Sequence, residues 1–547
     1  MQNLSVFTED IIKASGLQAK DVLGDVDSIH FSPYLTQDHY DYFDKLLKEK
    51  ERIIIHGDYD GDGLCGTAIL YKYLKESGFN VFIKIPKRSE GYGINPSFPD
   101  LVKATDNPAL VITVDCGISN KAEIDRGKEL GIDFIVTDHH ELPDQLPDAK
   151  YIFHPFILTD NEDIKYLSGT GMAFWLAWQL NIHYQTDFDF DSWSSVAAIG
   201  LISDYVPLLG KTRELVKYGI KMIRTKPPVG MKALIDANQI NQDWIDEEAL
   251  SFGVIPRLNA AGRLSDPILA FSILTTDDYF SAARASVRLD ELNEKRKVLT
   301  QKYIDDAIYR LNDVEEDKMT FIIANDWLHG IVGITSAKLV NLYELPSFVL
   351  CREGQIYKGS ARSPEWFDIM EALHYASEHT LRYGGHKHAG GFTLRPDQVL
   401  RFKFALTENA QQQFLKARNP QKVIEWKKEY DQLDIVEEIK QMQPFGVGFP
   451  KPLFLIKDQP LTYVRPSMDQ KHLFCEVNKI KSVYWSAWNT GLTNRTPYDI
   501  VFKLGLDTWK SETPTLKAEL ISVKEKEFEN DSTETDIHSP TEENDQE

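Results

Sequence analysis

The sequence predicts an α/β protein: a parallel-sheet domain and a second α/β unit joined by a long helix, followed by a small β-barrel. Three observations carry this reading. Short β-branched apolar runs alternate with helix-length segments through residues 51–279, the pattern of parallel strands linked by crossover helices. Residues 280–312 read as one long charged helix, carrying Arg288, Asp290, Glu291, Glu294, Lys295 and Arg296. Beyond residue 450, five short alternating strands fall within about 80 residues, as in a small closed sheet such as an OB-fold.

At 547 residues the chain is too long for one hydrophobic core. We divide it into a helical lead-in (1–50), a first α/β domain (51–279), the connecting helix (280–312), a second α/β domain (313–420), the barrel (421–526) and an acidic, disordered tail (527–547). Hydrophobic residues make up 42% and charged residues 26%, which excludes a disordered chain as a whole. No apolar run reaches membrane-spanning length, and the first ten residues lack a basic and then apolar leader. Cys65, Cys116, Cys351 and Cys475 are scattered, with no Cys-x-x-Cys pair, and fit reduced buried thiols in a cytoplasmic protein. The net charge is −22, and nine of the acids lie in the tail; the remainder is still acidic. Charge alone favours a small-molecule enzyme, so any basic footprint for nucleic acid has to be local.

The chemistry begins at Arg52-Ile53-Ile54-Ile55-His56-Gly57-Asp58-Tyr59-Asp60-Gly61-Asp62-Gly63. A buried strand runs into a tight turn, and residues 64–77 form a helix closed by Gly78. Residues 81–86 are a second strand, running into the glycine-rich loop 87–93. The strand 110–115 ends on Asp115, a helix spans 119–130, and the strand 134–137 ends on Asp138-His139-His140. Parallel strands put their carboxyl ends along one edge, where α/β sheets bind ligands. Asp58, Asp60, Asp62, Asp115, Asp138, His139 and His140 therefore share that edge although they are distant in sequence. One acidic loop is as readily a solvated turn; three strand ends bearing such groups point to a metal site for Mg²⁺ or Mn²⁺. A helix at 195–202 delivers Asp204, with Arg213 soon after.

Further along, Arg257, Asn259 and Arg263 stand among small residues, as phosphate recognition requires. The second α/β unit starts with the strand 321–324. It carries His329-Gly330-Ile331-Val332-Gly333, then Ser360 and Arg362, then Gly384-Gly385-His386-Lys387-His388-Ala389-Gly390-Gly391. Successive glycines let backbone N–H groups approach an anion, with Ser360, Arg362 and His386 as side-chain donors; the competing reading is a tight-turn loop with a surface histidine pair. A helical connector spans 423–443 and Pro444-Phe445-Gly446-Val447-Gly448-Phe449-Pro450 opens the barrel. There Phe474, Tyr484, Trp485 and Trp488 are candidates for base stacking, although such aromatics more often fill a barrel core.

In this order the motifs resemble the DHH phosphoesterase superfamily. Asp58 to Gly63, Val114-Asp115-Cys116-Gly117, Asp138-His139-His140 and Ser203-Asp204 match its four metal motifs. Arg257 to Arg263, His329 to Gly333, Lys358 to Ser363 and Gly384 to Gly391 are similar to the RecJ branch with its DHHA1 domain, and the Pro-Phe-Gly turn and barrel to its OB-fold. Gly61, Gly66 and Phe449 depart from the usual residues. The resemblance implies a metal-dependent exonuclease acting 5′ to 3′ on single-stranded DNA in repair and recombination, releasing 5′-mononucleotides.

It also implies two divalent ions, Mn²⁺ preferred or Mg²⁺. One would be held by His56, Asp60 and Asp115, the other by Asp62, Asp115, His139 and Asp204. His140 would face the scissile phosphate, with Asp58 and Asp138 orienting ligands. Arg257, Asn259, Arg263, Ser360, Arg362, Gly385 and His386 would hold the strand. The partners implied are single-stranded DNA, a helicase and a single-strand-binding protein, with the chain itself monomeric. The rival readings are a nanoRNA or phosphoadenosine-phosphate phosphatase, a non-catalytic replication scaffold of the same fold, and an inorganic pyrophosphatase.

Overall fold

Residues 4–204, 206–311, 317–416, 422–485, 487, 490–508 and 513–525 are described by a computed structural model. Trp488 and the tail at 527–547 lie outside these described residues. Three sheets organise the chain.

The first has the order β2-β1-β3-β4-β5, with β1 (Arg52–His56), β2 (Asn80–Lys84), β3 (Leu110–Val114), β4 (Asp133–Thr137) and β5 (Tyr151–Phe153). Every pairing in it is parallel. Strand alternation divides β1 between two cores: Ile53 and Ile55 face a large cluster built from the helices, while Ile54 faces a smaller one with Phe98, Ile118 and Phe134. The helices Gly61–Glu76, Gly169–Tyr184 and Phe190–Ser203 fill the larger core, and Trp175 and Tyr73 are fully buried there.

The helix Tyr279–Arg310 is continuous over 32 residues and leads to the second sheet. That sheet has the order β6-β7-β8-β10-β9, from β6 (Thr320–Ala324), β7 (Ser347–Glu353), β8 (Ile356–Arg362), β9 (Arg382–His386) and β10 (Ala389–Leu394). Only the β6–β7 pairing is parallel. The glycine-rich stretch is thus a hairpin, with Gly384 opposite Gly391 and Gly385 opposite Gly390. This corrects the expected anion-cradling loop: the backbone of these glycines serves a β-ladder, which low strand propensity conceals in the sequence.

The third sheet runs β11-β12-β16-β17-β15-β14-β13, from β11 (Val423–Glu425), β12 (Leu453–Pro460), β13 (Thr462–Pro466), β14 (Leu473–Val477), β15 (Ile480–Tyr484), β16 (Pro497–Asp507) and β17 (Thr515–Glu525). Among the described residues no pairing joins its two ends, so the sheet is OB-like without a closed hydrogen-bonded ring. The expected helical connector is strand β11 followed by a 3₁₀ turn, with a helix only at Ile435–Met442.

The first fifty residues serve two cores. Phe7, Ile11 and Val22 complete the β-sheet core of the third unit, whereas Tyr40, Phe43 and Leu46 pack into the first. Phe449 is buried, stacks on Phe445 with centroids 5.2 Å apart and lies under the Arg213 guanidinium at 5.1 Å.

Candidate metal centre

The acidic loop owes its shape to Asp60, which caps the helix Gly61–Glu76. Its Oδ1 accepts from the N–H groups of Asp62 (3.1 Å) and Gly63 (3.2 Å), satisfying donors that a helix start leaves open. Asn259 ties the same loop down, its Oδ1 accepting from the Gly61 N–H at 2.8 Å. Gly61 packs closely there: a Cβ would lie 3.0 Å from Ser203 Oγ. Asp115 follows β3 with φ +62°, a left-handed conformation unusual for a non-glycine residue and a form of strain found at functional sites.

His139 Nε2 lies 3.2 Å from Asp115 Oδ1, 3.2 Å from Asp204 Oδ2 and 3.9 Å from Asp62 Oδ2. Ligand atoms of Asp62, His139 and Asp204 gather within 4.8 Å of one another, as do those of Asp58, Asp60 and Asp115. Buried polar atoms nearly always find a partner, yet Asp58 Oδ1, Asp62 Oδ2, Asp115 Oδ1 and His139 Nε2 have no hydrogen bond. Bare carboxylate oxygens beside an imidazole nitrogen are a donor set for Mn²⁺ or Mg²⁺. Asp138 is different. Its Oδ1 accepts from the His139 and His140 N–H groups and from His140 Nδ1 (2.8 Å), and its Oδ2 from the Ile118 N–H (2.9 Å). With both oxygens engaged it orients His140.

The electrostatics follow from burial. It pushes Asp58 up to about 8, with Asp60 adding repulsion, and Asp62 up to about 6. Asp115 and Asp204 are also raised well above the usual carboxylate range by burial, with Asp62 as the leading repulsive neighbour. Burial together with the neighbouring His140 holds His139 well below the ordinary imidazole value, which favours its neutral form. Burial would lower His140 too, but the Asp138 carboxylate overrides it and lifts His140 to about 9. One histidine is thus a neutral donor and its neighbour a cation.

The second sheet closes over this edge. His386, at the end of β9, stacks on His140 with centroids 4.8 Å apart and on His139 at 5.7 Å. Its Nε2 is buried without a partner. Gly385 precedes it with φ +147°, and a Cβ there would meet Ala389 O at 2.2 Å. On β8, Arg362 donates to Ser360 Oγ at 3.1 Å, and Gly333 keeps space open beside both. Arg263 approaches from the helix Ile255–Leu264; burial and the cations Arg88, Arg362 and Arg296 hold it down at about 9. Asp60 partly offsets that repulsion, and Arg263 donates to Gly330 O at 3.2 Å.

Two expected site residues sit elsewhere. His56, the last residue of β1, shares the Ile54 face: its ring packs edge-on against Phe98 at 4.8 Å and its Nδ1 lies 3.8 Å from Cys116 Sγ. The carboxylate that gathers with Asp60 and Asp115 is that of Asp58. Arg257 is also committed internally, to Asp290 (2.8 Å) on the long helix and to Gly253 O (2.5 Å). It braces the helix that carries Asn259 and Arg263.

Residues the sequence left unassigned join the site. Arg88 lies over the Tyr59 ring at 4.2 Å and donates to Gly262 O. Tyr92 donates to Asp115 O at 3.1 Å and leans against His140 with centroids 5.2 Å apart. Ser168 and Thr170 both bond Asp62. Arg88 and Tyr92 fall in the glycine-rich loop after β2, whose position at the sheet edge was the available signal.

Residues 52–201 match the DHH family, N-terminal domain, and residues 424–519 match the RecJ OB domain. The single-stranded-DNA-specific exonuclease RecJ of Bacillus subtilis (strain 168) is 33% identical over 434 residues, covering 78% of this chain and 54% of that protein. The chain thus spans about half the length of that relative. Its counterpart from Escherichia coli (strain K12) is 31% identical over 439 residues, 75% of each chain. The crystal structure of RecJ in complex with Mn²⁺ from Thermus thermophilus superposes with a TM-score of 0.79 at 27% identity, covering 95% of this chain and 76% of that one.

Proposed function

The chain belongs to the RecJ family of single-stranded-DNA-specific exonucleases, and from that premise we propose that it degrades single-stranded DNA from the 5′ end by metal-assisted hydrolysis, releasing 5′-mononucleotides. The observation that carries this is the convergence of unbonded Asp58, Asp62 and Asp115 oxygens and His139 Nε2 at one sheet edge. Asp58, Asp60 and Asp115 would hold one divalent cation and Asp62, His139 and Asp204 the other, with Asp115 between them, 3.2 Å from His139. A bound pair of Mn²⁺ or Mg²⁺ ions supplies a water made acidic enough to attack phosphorus and positive charge for the transition state.

The chain's own groups do the rest. His140, kept protonated by Asp138, presents a cationic donor where negative charge develops on phosphorus. His386, stacked on it from the second sheet, offers a free Nε2 to the same phosphate. Arg88, Arg263, Ser360 and Arg362 form a cationic pocket for a backbone or terminal phosphate, and phosphate contacts carry no sequence preference. On the third sheet Trp485 is exposed, edge-on to His472, and Phe474 lies by Arg465, so both are available to bases. We assign the protein to the cytoplasm as a monomer working beside a helicase and a single-strand-binding protein in repair and recombination.

The test is hydrolysis of 5′- and 3′-end-labelled single strands with Mn²⁺, Mg²⁺ or neither. Immediate release of labelled mononucleotide from the 5′-labelled strand, only with metal, is expected. Cleavage confined to dinucleotides, or turnover after chelation, overturns the reading.

A further inference from the structure

Asp62 is held asymmetrically. Its Oδ1 accepts from Ser168 Oγ at 2.6 Å and from the Thr170 N–H at 3.1 Å, and Thr170 Oγ1 donates to its main-chain carbonyl at 2.5 Å. Its Oδ2 has no partner and faces His139 Nε2. Ser168 and Thr170 are fully buried, Ser168 as the N-cap and Thr170 in the first turn of the helix Gly169–Tyr184.

The residue between them touches a second carboxylate. A Cβ on Gly169 would lie 2.3 Å from Asp115 Cβ and 2.5 Å from its Oδ1, so only glycine lets Asp115 occupy its place. Thr170 in turn fills the space left by two glycines. A Cβ on Gly200 would meet Thr170 Oγ1 at 2.0 Å, and one on Gly66 would meet Thr170 Cα at 3.0 Å. Gly66 lies on the helix Gly61–Glu76 that carries Asp62, and Gly200 on the helix Phe190–Ser203 that ends beside Asp204. One three-residue turn is therefore packed against the carriers of Asp62, Asp115 and Asp204.

We propose that the turn 168–170 is the positioning element of the metal centre: Ser168 fixes Asp62 so that one oxygen faces the cation, and Gly169 and Thr170 set Asp115 and the Asp204 helix against it. The inference rests on the metal reading above and deepens it. A carboxylate with free rotation presents either oxygen; two donors on Oδ1 leave Oδ2 as the ligand atom. Asp138, with donors on both oxygens, shows the opposite outcome in the same neighbourhood. Partners that orient a ligand in this way are worth about 10–100-fold in metal affinity.

The experiment is Mn²⁺ titration of chelator-stripped full-length protein by calorimetry, for wild type, Ser168→Ala and Ser168→Thr. Ser168→Ala is expected to weaken Mn²⁺ binding about 10–100-fold, with an unchanged melting temperature in chelator. Its activity should need correspondingly more Mn²⁺ and recover at saturation, a split that a purely structural defect does not give. Ser168→Thr keeps the hydroxyl and is expected to restore the wild-type affinity. Thr170→Val guards against loss of fold, since it removes only the bond to the Asp62 carbonyl; a smaller shift in the same direction is expected. If wild type binds Mn²⁺ and both Ser168→Ala and Thr170→Val bind it equally well, the positioning role is overturned while the metal centre stands. If wild type takes up no Mn²⁺, the metal reading falls and this inference with it.

Discussion

Two buried clusters of charge lie in the first α/β body, and they are built on opposite plans. At the junction with the OB-like unit the charges are largely matched. Arg213 donates to the carbonyls of Pro444, Met442 and Val22, and Lys451 pairs with Glu248. Asp246 accepts from the Ala249 N–H, from Thr508 Oγ1 and from Gln443 Nε2, and Glu247 accepts from the Phe445 N–H. Glu247 Oε2 and Arg213 Nε stay bare there. At the sheet edge, by contrast, Asp58, Asp62, Asp115 and His139 all turn unbonded atoms toward one another. Burying charge without partners is costly, and a protein retains such an arrangement where something else supplies the compensation. Charge that is largely matched ties two units together; charge left bare at a sheet edge is open to a cation.

The sharpest way to break this contrast is to remove one bare carboxylate. Asp115→Asn keeps the shape and tolerates the left-handed backbone while deleting the charge. Nuclease activity should fall more than about 100-fold, beyond the cost of an orienting partner. Metal-free stability, followed by thermal melting, should hold or rise; retained Mn²⁺-dependent turnover would reject the shared ligand.

Arg362→Ala tests the cationic side of the edge. Binding to single strands should weaken about tenfold, and the slope of log affinity against log salt should shrink by about one. An unchanged slope removes Arg362 from the phosphate pocket.

The junction should respond to pH instead of metal. Burial, with Asp246 beside it, holds Glu247 up at about 7. Its contribution to folding is therefore complete below the ordinary carboxylate range and is lost as pH rises through 7. Glu247→Gln should flatten that part of the stability profile, by on the order of 1–3 kcal/mol between pH 5 and 8, with Mn²⁺ affinity untouched. Denaturant melts at several pH values check this, and parallel profiles for the two proteins would refute it. As a lower bound on what an exposed pair contributes, Asp277→Asn, which removes a surface partner of Lys72, should change stability by less than about 0.5 kcal/mol.

The strands and the acidic motifs were legible because they are local. β-branched runs ended by glycine and aspartate give β1, β3 and β4 almost to the residue, and parallel order then requires their carboxyl ends to meet. The glycine hairpin was not legible, since glycines read as loop until a partner strand is known. The contacts of His56 and Arg257 were hidden for related reasons. Which face a strand's last residue takes depends on register with Phe98, and Arg257 meets Asp290 only across two helices. Ser168 and Thr170 carried no signal by themselves, as a Ser-Gly-Thr step before an apolar helix is an ordinary helix start.

By itself, then, the sequence determined which residues could be ligands and that they would lie along one edge. The tertiary structure alone decided which of their atoms stay unbonded, and so which carboxylates are open to an ion and which are tied to a neighbour. The reason is physical: a ligand type is a property of the side chain, whereas a free lone pair depends on every donor within about 3 Å, and those donors arrive from elements a hundred residues away, as Ser168 does for Asp62.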